Sequence, residues 1–295
     1  KVFAGPSKVD LNTQLRKNIE SHGCIESNPL KKRMENYAGL EFYVNRYLPE
    51  DLAPHLECLY LVEFGPGNYE HLRRQVRDFS EFDASVHDSH LAQLPSLHDL
   101  KHYEGLKMLD LRLSELNDLD WLGTLHWLEE LLLNSAKIDD FSSIKSGHNL
   151  KRLDMGQTNL KNLSTILPLT RLESLDLQQV QIKDVSSLVE LQSLKRLNLS
   201  HMPIKDISFL KELPELEEVL LARIDITDFS ALSGLKNLKL LSVAETGISD
   251  LLVIPALPDL ETLYIWNCIH VKDISTLERF PKLKPVDTKG TSVPA

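Results

Sequence analysis

Apolar residues recur along this chain with a fixed period of 22 residues. Steps of that length from Leu106 meet a leucine every time: Leu106, Leu128, Leu150, Leu172, Leu194, Leu216, Leu238 and Leu260. Leucine makes up roughly a tenth of ordinary sequence, so chance does not produce such a series. With these leucines as position one, positions four and six are also apolar, as in Leu153 and Met155. This alternation predicts a short β-strand in every unit.

The second half of each unit has a different spacing. Position eleven is Leu or Ile, and Asp or Asn follows at position thirteen: Asp118, Asp140, Asn162, Asp184, Asp206, Asp228 and Asp250. Apolar residues at positions seventeen and twenty, such as Leu188 and Leu191, are three apart. This spacing predicts a helical or 3-10 turn. The Asp or Asn side chain at its start is expected to accept hydrogen bonds from the exposed N–H groups.

A single unit cannot bury its own leucines, so the units must stack into a continuous apolar core. The predicted fold class is an α/β solenoid, with a curved parallel sheet on the concave side and short helices or 3-10 turns on the convex side. Eight regular units occupy residues 106–283, and residues 284–295 form a polar C-terminal tail that we expect to fray.

The repeated segment LKRLNLSHMPIKDISFLKELPE, from Leu194 to Glu215, resembles the leucine-rich repeats of bacterial internalins and of the regulatory subunit of protein phosphatase 1. Both families are binding scaffolds, so the resemblance implies a scaffold here. The families usually have Asn at position nine, but this chain has other residues there: Ser114, Ala136, Thr158, Val180, Met202, Ile224, Thr246 and Cys268. We therefore expect packing to hold the turn after each strand, and a less regular stack of loops.

The N-terminal third is irregular. Apolar residues at three- and four-residue spacing predict helices, and residues 1–55 are interpreted as a helical N-terminal cap. Residues 56–105 are predicted to form degenerate repeats with an elaborated loop. The segment HLECLYL fits the strand template around Leu59, and FSEFDA fits it from Phe79. Gly and Pro in FGPGNYEHLRRQ indicate the loop between them.

Strand positions three, five and seven point away from the core and form the concave face, which packing leaves free for binding. We predict a partner-binding site there from one charged and one apolar group of residues: Arg152, Asp154, Asp176, Arg196, Leu220, Leu240, Tyr264 and Trp266. Soluble surfaces rarely leave such an aromatic patch bare, and Trp, Tyr and Arg dominate interface energetics. Two structural alternatives stay open. In the first, the charged residues form cross-strand pairs that keep the sheet soluble. In the second, the C-terminal tail covers the aromatic residues.

Position two alternates in sign: Lys107, Glu129, Lys151, Glu173, Lys195, Glu217, Lys239 and Glu261. Each residue would face an opposite charge on the neighbouring strand. We interpret this ladder as a device for strand register and solubility rather than for binding.

Composition narrows the function. The chain has 295 residues, 42% hydrophobic and 26% charged, and a net charge of −10. An acidic surface without a basic stripe argues against nucleic acid, and no apolar run is long enough for membrane insertion. Three widely spaced cysteines favour a reducing, cytoplasmic location. Secretion stays open as an alternative, because the sequence starts at Lys1.

The sequence has one weak hint of chemistry. His98 and His102 have the i, i+4 spacing of a zinc-protease helix, but Asp99 stands where glutamate is needed and no third ligand follows. Surface histidines are the favoured interpretation. No nucleophile or phosphate-binding motif occurs, so we expect no enzyme, no metal and no cofactor.

The leading hypothesis is a protein-interaction scaffold that holds a protein partner on its concave face. A specific version is an inhibitor or immunity-type protein, and the acidic net charge suits a basic partner. The alternatives are an internalin-like surface or secreted adhesion protein and, least favoured, a metal-dependent enzyme using His98 and His102.

Overall fold

The computed structural model describes residues 106–294 together with two short strands, Cys24–Ile25 and Cys58–Tyr60. The chain divides into two compact units, Lys1–Asn149 and Leu150–Ala295. We call them the first unit and the second unit.

The first unit contains short parallel strands. The main ones are β1 (Cys24–Ile25), β2 (Cys58–Tyr60), β3 (Met108–Asp110) and β5 (Glu130–Leu132), which pair in that order. Two further strands, β4 (Glu115–Leu116) and β6 (Lys137–Ile138), pair with each other. The 3-10 helices Asp120–Thr124 and Ser142–Ser146 follow β4 and β6.

The second unit repeats one strand per 22 residues, with one additional residue in its last repeat. Its strands are β7 (Arg152–Asp154), β8 (Ser174–Asp176), β9 (Arg196–Asn198), β10 (Glu218–Leu220), β11 (Leu240–Ser242) and β12 (Thr262–Tyr264). All pair in parallel with their sequence neighbours. The 3-10 helices are Ser186–Glu190, Ser208–Glu212, Ser230–Gly234, Leu251–Val253 and Ser275–Arg279.

The repeated leucines form the core, as the pattern predicts. All position-one leucines of the second unit are fully buried, and position four is buried in each of its strands, as in Leu197. Strand pairing matches position with position, for example Leu175 with Leu197. Burying a leucine side chain contributes about 1.5–3 kcal/mol, so this alignment explains why the register does not slip.

The turn after each strand is regular, which contradicts the expected loss of order there. Position eight has a positive φ in every regular repeat: Leu113, Ser135, Gln157, Gln179, His201, Arg223, Glu245 and Asn267. Position nine is buried throughout, as in Val180 and Met202. In most repeats its N–H donates to the carbonyl of position six, as Val180 does to Leu177 at 3.0 Å. Packing of position nine, rather than an asparagine ladder, holds this turn.

The Asp residues at position thirteen cap the 3-10 helices as predicted. The carboxylates of Asp184, Asp206 and Asp228 accept N–H bonds from the serine two residues later, at 2.7–3.0 Å. Hydrogen bonds from the side chain and N–H of Ser186 lower the pKa of Asp184, and those from the N–H and side chain of Ser230 lower the pKa of Asp228. In most repeats the capping residue stands one position before the helix flank, whereas Asp250 occupies the flank itself.

The C-terminal tail, which the sequence predicts to fray, continues the geometry of the repeat. Asp287 accepts the N–H of Lys289 at 2.9 Å, and Gly290 adopts a φ of 75°, as position eight does elsewhere. Asn267 donates its N–H to the Lys289 carbonyl at 2.9 Å. A Cβ at Gly290 would lie 2.1 Å from the Asn267 Oδ1 atom, so glycine suits this position.

Two features bear on the N-terminal third. Strand β2 pairs Leu59 with Leu109, which confirms the strand template proposed around Leu59. Strand β2 pairs directly with β3, and the segment from Phe79 lies outside the described residues. The helical cap proposed for residues 1–55 lies outside the described residues, apart from β1, which is a strand.

Candidate protein interface

The strand register of the second unit brings all the predicted binding residues onto one sheet surface. We call this surface, formed by positions three, five and seven of β7–β12, the open face. Arg152 aligns with Ser174 and Arg196, and Asp154 aligns with Asp176. Farther along, Leu220 and Leu240 lie on neighbouring strands, and Tyr264 aligns with Ser242.

The two aspartates on this face are committed to the backbone. Asp154 accepts the N–H of Gly156 at 3.0 Å, and Asp176 accepts that of Gln178 at 2.8 Å. Burial raises the pKa of Asp176, although the hydrogen bonds it accepts and the Arg152 guanidinium act in the opposite direction. These local bonds satisfy N–H groups just beyond the ends of the two strands.

Sequence reasoning missed Asn198 as a member of this network. Its side-chain Nδ2 atom donates to Asp176 Oδ2 at 2.8 Å, while its side-chain Oδ1 atom accepts the Ser200 N–H at 3.0 Å. The available signal was position five, which is Asp or Asn in three consecutive repeats of the second unit: Asp154, Asp176 and Asn198. In the first unit, Asp110 occupies position five. It is fully buried and forms a salt bridge with Arg112 at 2.7 Å.

Arg196 has a looser environment than the aspartates. Its side chain is 56% exposed, and an Nη1 atom lies 4.0 Å from Glu218 Oε1 on the next strand. That distance makes an ion pair but exceeds hydrogen-bonding range. The cross-strand interpretation therefore holds for this pair only in a weak form, since exposed pairs contribute roughly 0–1 kcal/mol.

The apolar group occupies the β10–β12 end of the open face. Leu220 and Leu240 are half-buried, whereas Tyr264 and Trp266 remain 43% and 38% exposed. Between them the face carries small, buried residues, Ser242 among them. The large side chains of Tyr264 and Trp266 thus lie next to small, buried residues of the same face.

The tail borders this patch without covering it. Residues 284–292 bond to the edge of the last repeat, where Ser292 donates to the Val271 carbonyl at 2.8 Å. Tyr264 and Trp266 keep their exposure although this tail is in place. Burial beneath the tail, the structural alternative for these two residues, is therefore wrong.

The charge ladder at position two is confirmed in the second unit. Lys195 bonds to Glu173 at 2.8 Å, and Lys239 bonds to Glu217 at 2.7 Å. The tail extends the ladder, because Lys284 lies 2.9 Å from Glu261. These pairs neutralise one another along the border of the open face.

No group of three or more His, Cys, Asp or Glu side chains suited to a metal occurs within residues 106–294. His98 and His102 lie outside the described residues. Cys268 is a buried free thiol that lies 3.1 Å from the Val243 carbonyl oxygen. None of the helices in the described part of the chain is long and apolar enough to cross a membrane.

Comparison with known proteins gives a consistent class. No family model and no curated protein sequence matches the chain. Among solved structures it is similar to an internalin (inlF) of Listeria monocytogenes, with 28% identity over 67% of this chain and a TM-score of 0.58. Internalin C2 of the same species shows 26% identity over 65% of this chain and 83% of its own, with a TM-score of 0.57.

A leucine-rich-repeat protein of Leptospira interrogans is also similar, with 25% identity over 66% of this chain and 52% of its own, and a TM-score of 0.56. The repeats, their parallel strands and these likenesses together define the chain as a leucine-rich-repeat protein. Its repeat region is internalin-like. The chain spans 58% of the length of the inlF internalin.

Leucine-rich-repeat proteins of the internalin-like kind are typically scaffolds for protein binding and not enzymes. The open face, with its half-exposed aromatic residues, is the described surface that best fits such binding.

Proposed function

We propose that this chain binds a protein partner on the open face of the second unit. The observation that carries the proposal is the exposure of Tyr264 and Trp266 beside Leu220 and Leu240, with the tail already in place. Trp and Tyr are the commonest anchors of protein interfaces, because each buries a large rigid surface on binding.

The anchors should act together with the charged group. Arg152, Asp154, Asp176 and Arg196 occupy the neighbouring strands, so a partner that covers the aromatic pair also reaches these polar side chains. Because Asp154 and Asp176 are bonded to their own backbone, they contribute shape and local charge rather than free acceptors. The arginines supply the directional contacts.

The test compares a Tyr264→Ser/Trp266→Ser variant with the unaltered protein in a pull-down from cells of the source organism, followed by affinity measurement on the captured protein. Loss of each anchor should weaken binding by about 2 kcal/mol, roughly 30-fold in Kd. Thermal stability should barely change, since both side chains are partly exposed.

Trp127 supplies a matched control. It is 37% exposed, close to the 38% of Trp266, but lies at position twenty-two of a repeat in the first unit. Trp127→Ser should leave binding unchanged. A partner held equally by all three proteins would show that the site lies elsewhere, and a collapse of thermal stability in the double variant would show that the aromatic pair is structural.

Two finer versions of this function remain. In the first, the chain is a cytoplasmic inhibitor or immunity-type protein; the buried free thiol of Cys268 supports a reducing location. In the second, it is an exported adhesion protein, a version that the likeness to internalins supports. Fractionation of source cells distinguishes them, because an adhesion protein must be found at the surface or in the medium.

A further inference from the structure

The exposed charges of the open face differ in sign from the whole chain. The chain has a net charge of −10, yet the most exposed charged residues on this face are the arginines Arg152 and Arg196, and the Arg196 side chain is 56% exposed against 43% for Glu218. Asp154, Asp176 and Glu218 on the same face are half-buried. Arg223, at the position-eight rim of the face, is 62% exposed.

The carboxylates here are also occupied. Asp154 and Asp176 accept backbone N–H groups, and Asp176 accepts a second bond from Asn198. At the rim, Glu245 lies 3.5 Å from the Arg223 Nε atom. A basic side chain on a partner would therefore compete with existing bonds at Asp154 and Asp176, and with the weaker ion pair to Arg196 at Glu218.

Arg196 has donors left for a ligand. Within the described residues it forms an ion pair with Glu218 at 4.0 Å, which is outside hydrogen-bonding range. Its charge also acts on Glu173 and Glu217, but those carboxylates are hydrogen-bonded to Lys195 and Lys239. A guanidinium has five N–H donors in a planar fork that fits a carboxylate with two parallel bonds. Such a charge-assisted pair is about twice as strong as a neutral hydrogen bond.

The register sets the distance from this cation to the apolar anchors. Arg196 aligns with Glu218, then with Leu240, then with Thr262 on β12, the strand that carries Tyr264. Three strand spacings of about 4.8 Å separate β9 from β12 by about 14 Å. Tyr264 and Trp266 lie two and four residues beyond Thr262, which adds about 7 and 13 Å along the strand and makes the separation from Arg196 about 16–20 Å. An extended segment of about five to six residues, or about eleven to thirteen residues of helix, spans that distance.

We propose that the partner meets the open face with a carboxylate on Arg196 and an apolar side chain on Tyr264 and Trp266, about 16–20 Å apart. This inference rests on the proposed function and sharpens it. It also reverses the basic partner that the net charge alone favours, because contact forces depend on exposed local charge and water screens distant charges.

The experiment uses the whole chain and a display library of random peptides, each about sixteen residues long, enough for the separation in either conformation. The unaltered protein should enrich peptides that combine Asp or Glu with Trp, Phe, Tyr or Leu. Arg196→Gln should weaken these peptides about tenfold, and Arg196→Glu should shift the selection towards Lys and Arg. Lys183→Glu makes the same charge change as Arg196→Glu away from the open face and should have no effect.

The other outcomes of this experiment would contradict the acidic contact at Arg196, the proposed function, or both. Enriched peptides without acidic residues, affinities within about twofold in Arg196→Gln, or no enrichment at all would overturn the acidic contact. If the peptides lose binding in Tyr264→Ser/Trp266→Ser but not in Arg196→Gln, the acidic contact fails and the proposed function stands. If neither change affects binding, both fail. Circular dichroism of each variant confirms that the fold is intact.

Discussion

Asp154, Asp176 and Asn198 each accept a hydrogen bond from the N–H group two residues further along the chain. The aspartates at position thirteen make the same short-range bond where the 3-10 helices begin, as Asp228 does with Ser230. Asp and Asn suit this task because their short side chains reach the nearby backbone. One type of residue thus serves two places in the repeat, and on the open face it is easily mistaken for a binding group.

The raised pKa of Asp176 gives a test at this scale. Because Asn198 donates to its carboxylate and lowers the pKa, Asn198→Ala should raise the pKa of Asp176 further. An NMR titration that follows the Asp176 carboxyl carbon measures this shift. Ser174→Ala, on the same strand, should leave the pKa of Asp176 unchanged. If Asn198→Ala also leaves this pKa unchanged, the hydrogen bond from the Asn198 side chain to Asp176 is not formed.

The raised pKa of Asp176 also makes the stability of the fold depend on pH. A carboxyl whose folded pKa lies above its unfolded value favours folding when protonated. Ionised Asp176 therefore costs stability at neutral pH, and this cost disappears as pH falls through its folded pKa. Asp184 and Asp228, whose pKa is lowered, behave in the opposite way.

At the scale of the element, each strand ends in a turn whose third residue is left-handed. L-residues other than glycine, Asn and Asp rarely adopt this conformation, at a cost of about 1–2 kcal/mol. Repeated packing of buried position nine, for example Val180, outweighs the cost. The tail meets the same requirement with Gly290.

Gln179, with a φ of 62°, offers a direct test of this turn. Gln179→Val should lower the free energy of unfolding by about 1 kcal/mol or more, because a β-branched side chain crowds the left-handed backbone. Gln179→Gly should have the smaller effect, since glycine adopts that backbone freely. Urea unfolding followed by circular dichroism compares the two variants. Equal losses in both would mean that the side chain of Gln179, not its backbone, matters.

At the scale of the whole molecule, many of the acidic side chains form hydrogen bonds or ion pairs that recur from repeat to repeat. Bonds to lysine hold the pKa of Glu173, Glu217 and Glu261 below the ordinary value of 4.5. Serine side chains and N–H groups do the same for Asp184, Asp228 and Asp273, whose ordinary value is 3.8. Such exposed bonds are individually weak, but they recur in successive repeats.

Stability should therefore depend on pH in the acidic range. A carboxyl with a depressed folded pKa contributes stability above its unfolded pKa and loses it as pH falls through the folded value. The thermal midpoint should be flat around neutrality and fall once pH drops below the ordinary values of 4.5 and 3.8. Thermal unfolding between neutral pH and about pH 3 measures this. A midpoint that rises on acidification would show that repulsion between carboxylates dominates instead.

The sequence by itself determined the repeat. The spacing of leucines, the alternation of strand residues and the Asp at position thirteen predict the core, the strands and the helix caps, because these features depend on contacts that recur every 22 residues. The set of residues on the open face follows from the same periodicity, since alternate strand residues point to opposite sides of a sheet.

Tertiary structure alone decided what those residues do. The sequence could not show that Asn198 bonds to Asp176, that Arg196 stays loosely paired, or that the tail leaves Trp266 exposed. Each depends on where side chains from different repeats meet, and those meetings are set by strand pairing rather than by local spacing. For the turn, the sequence predicted that packing would replace asparagine, but only the structure showed the regular positive φ at position eight.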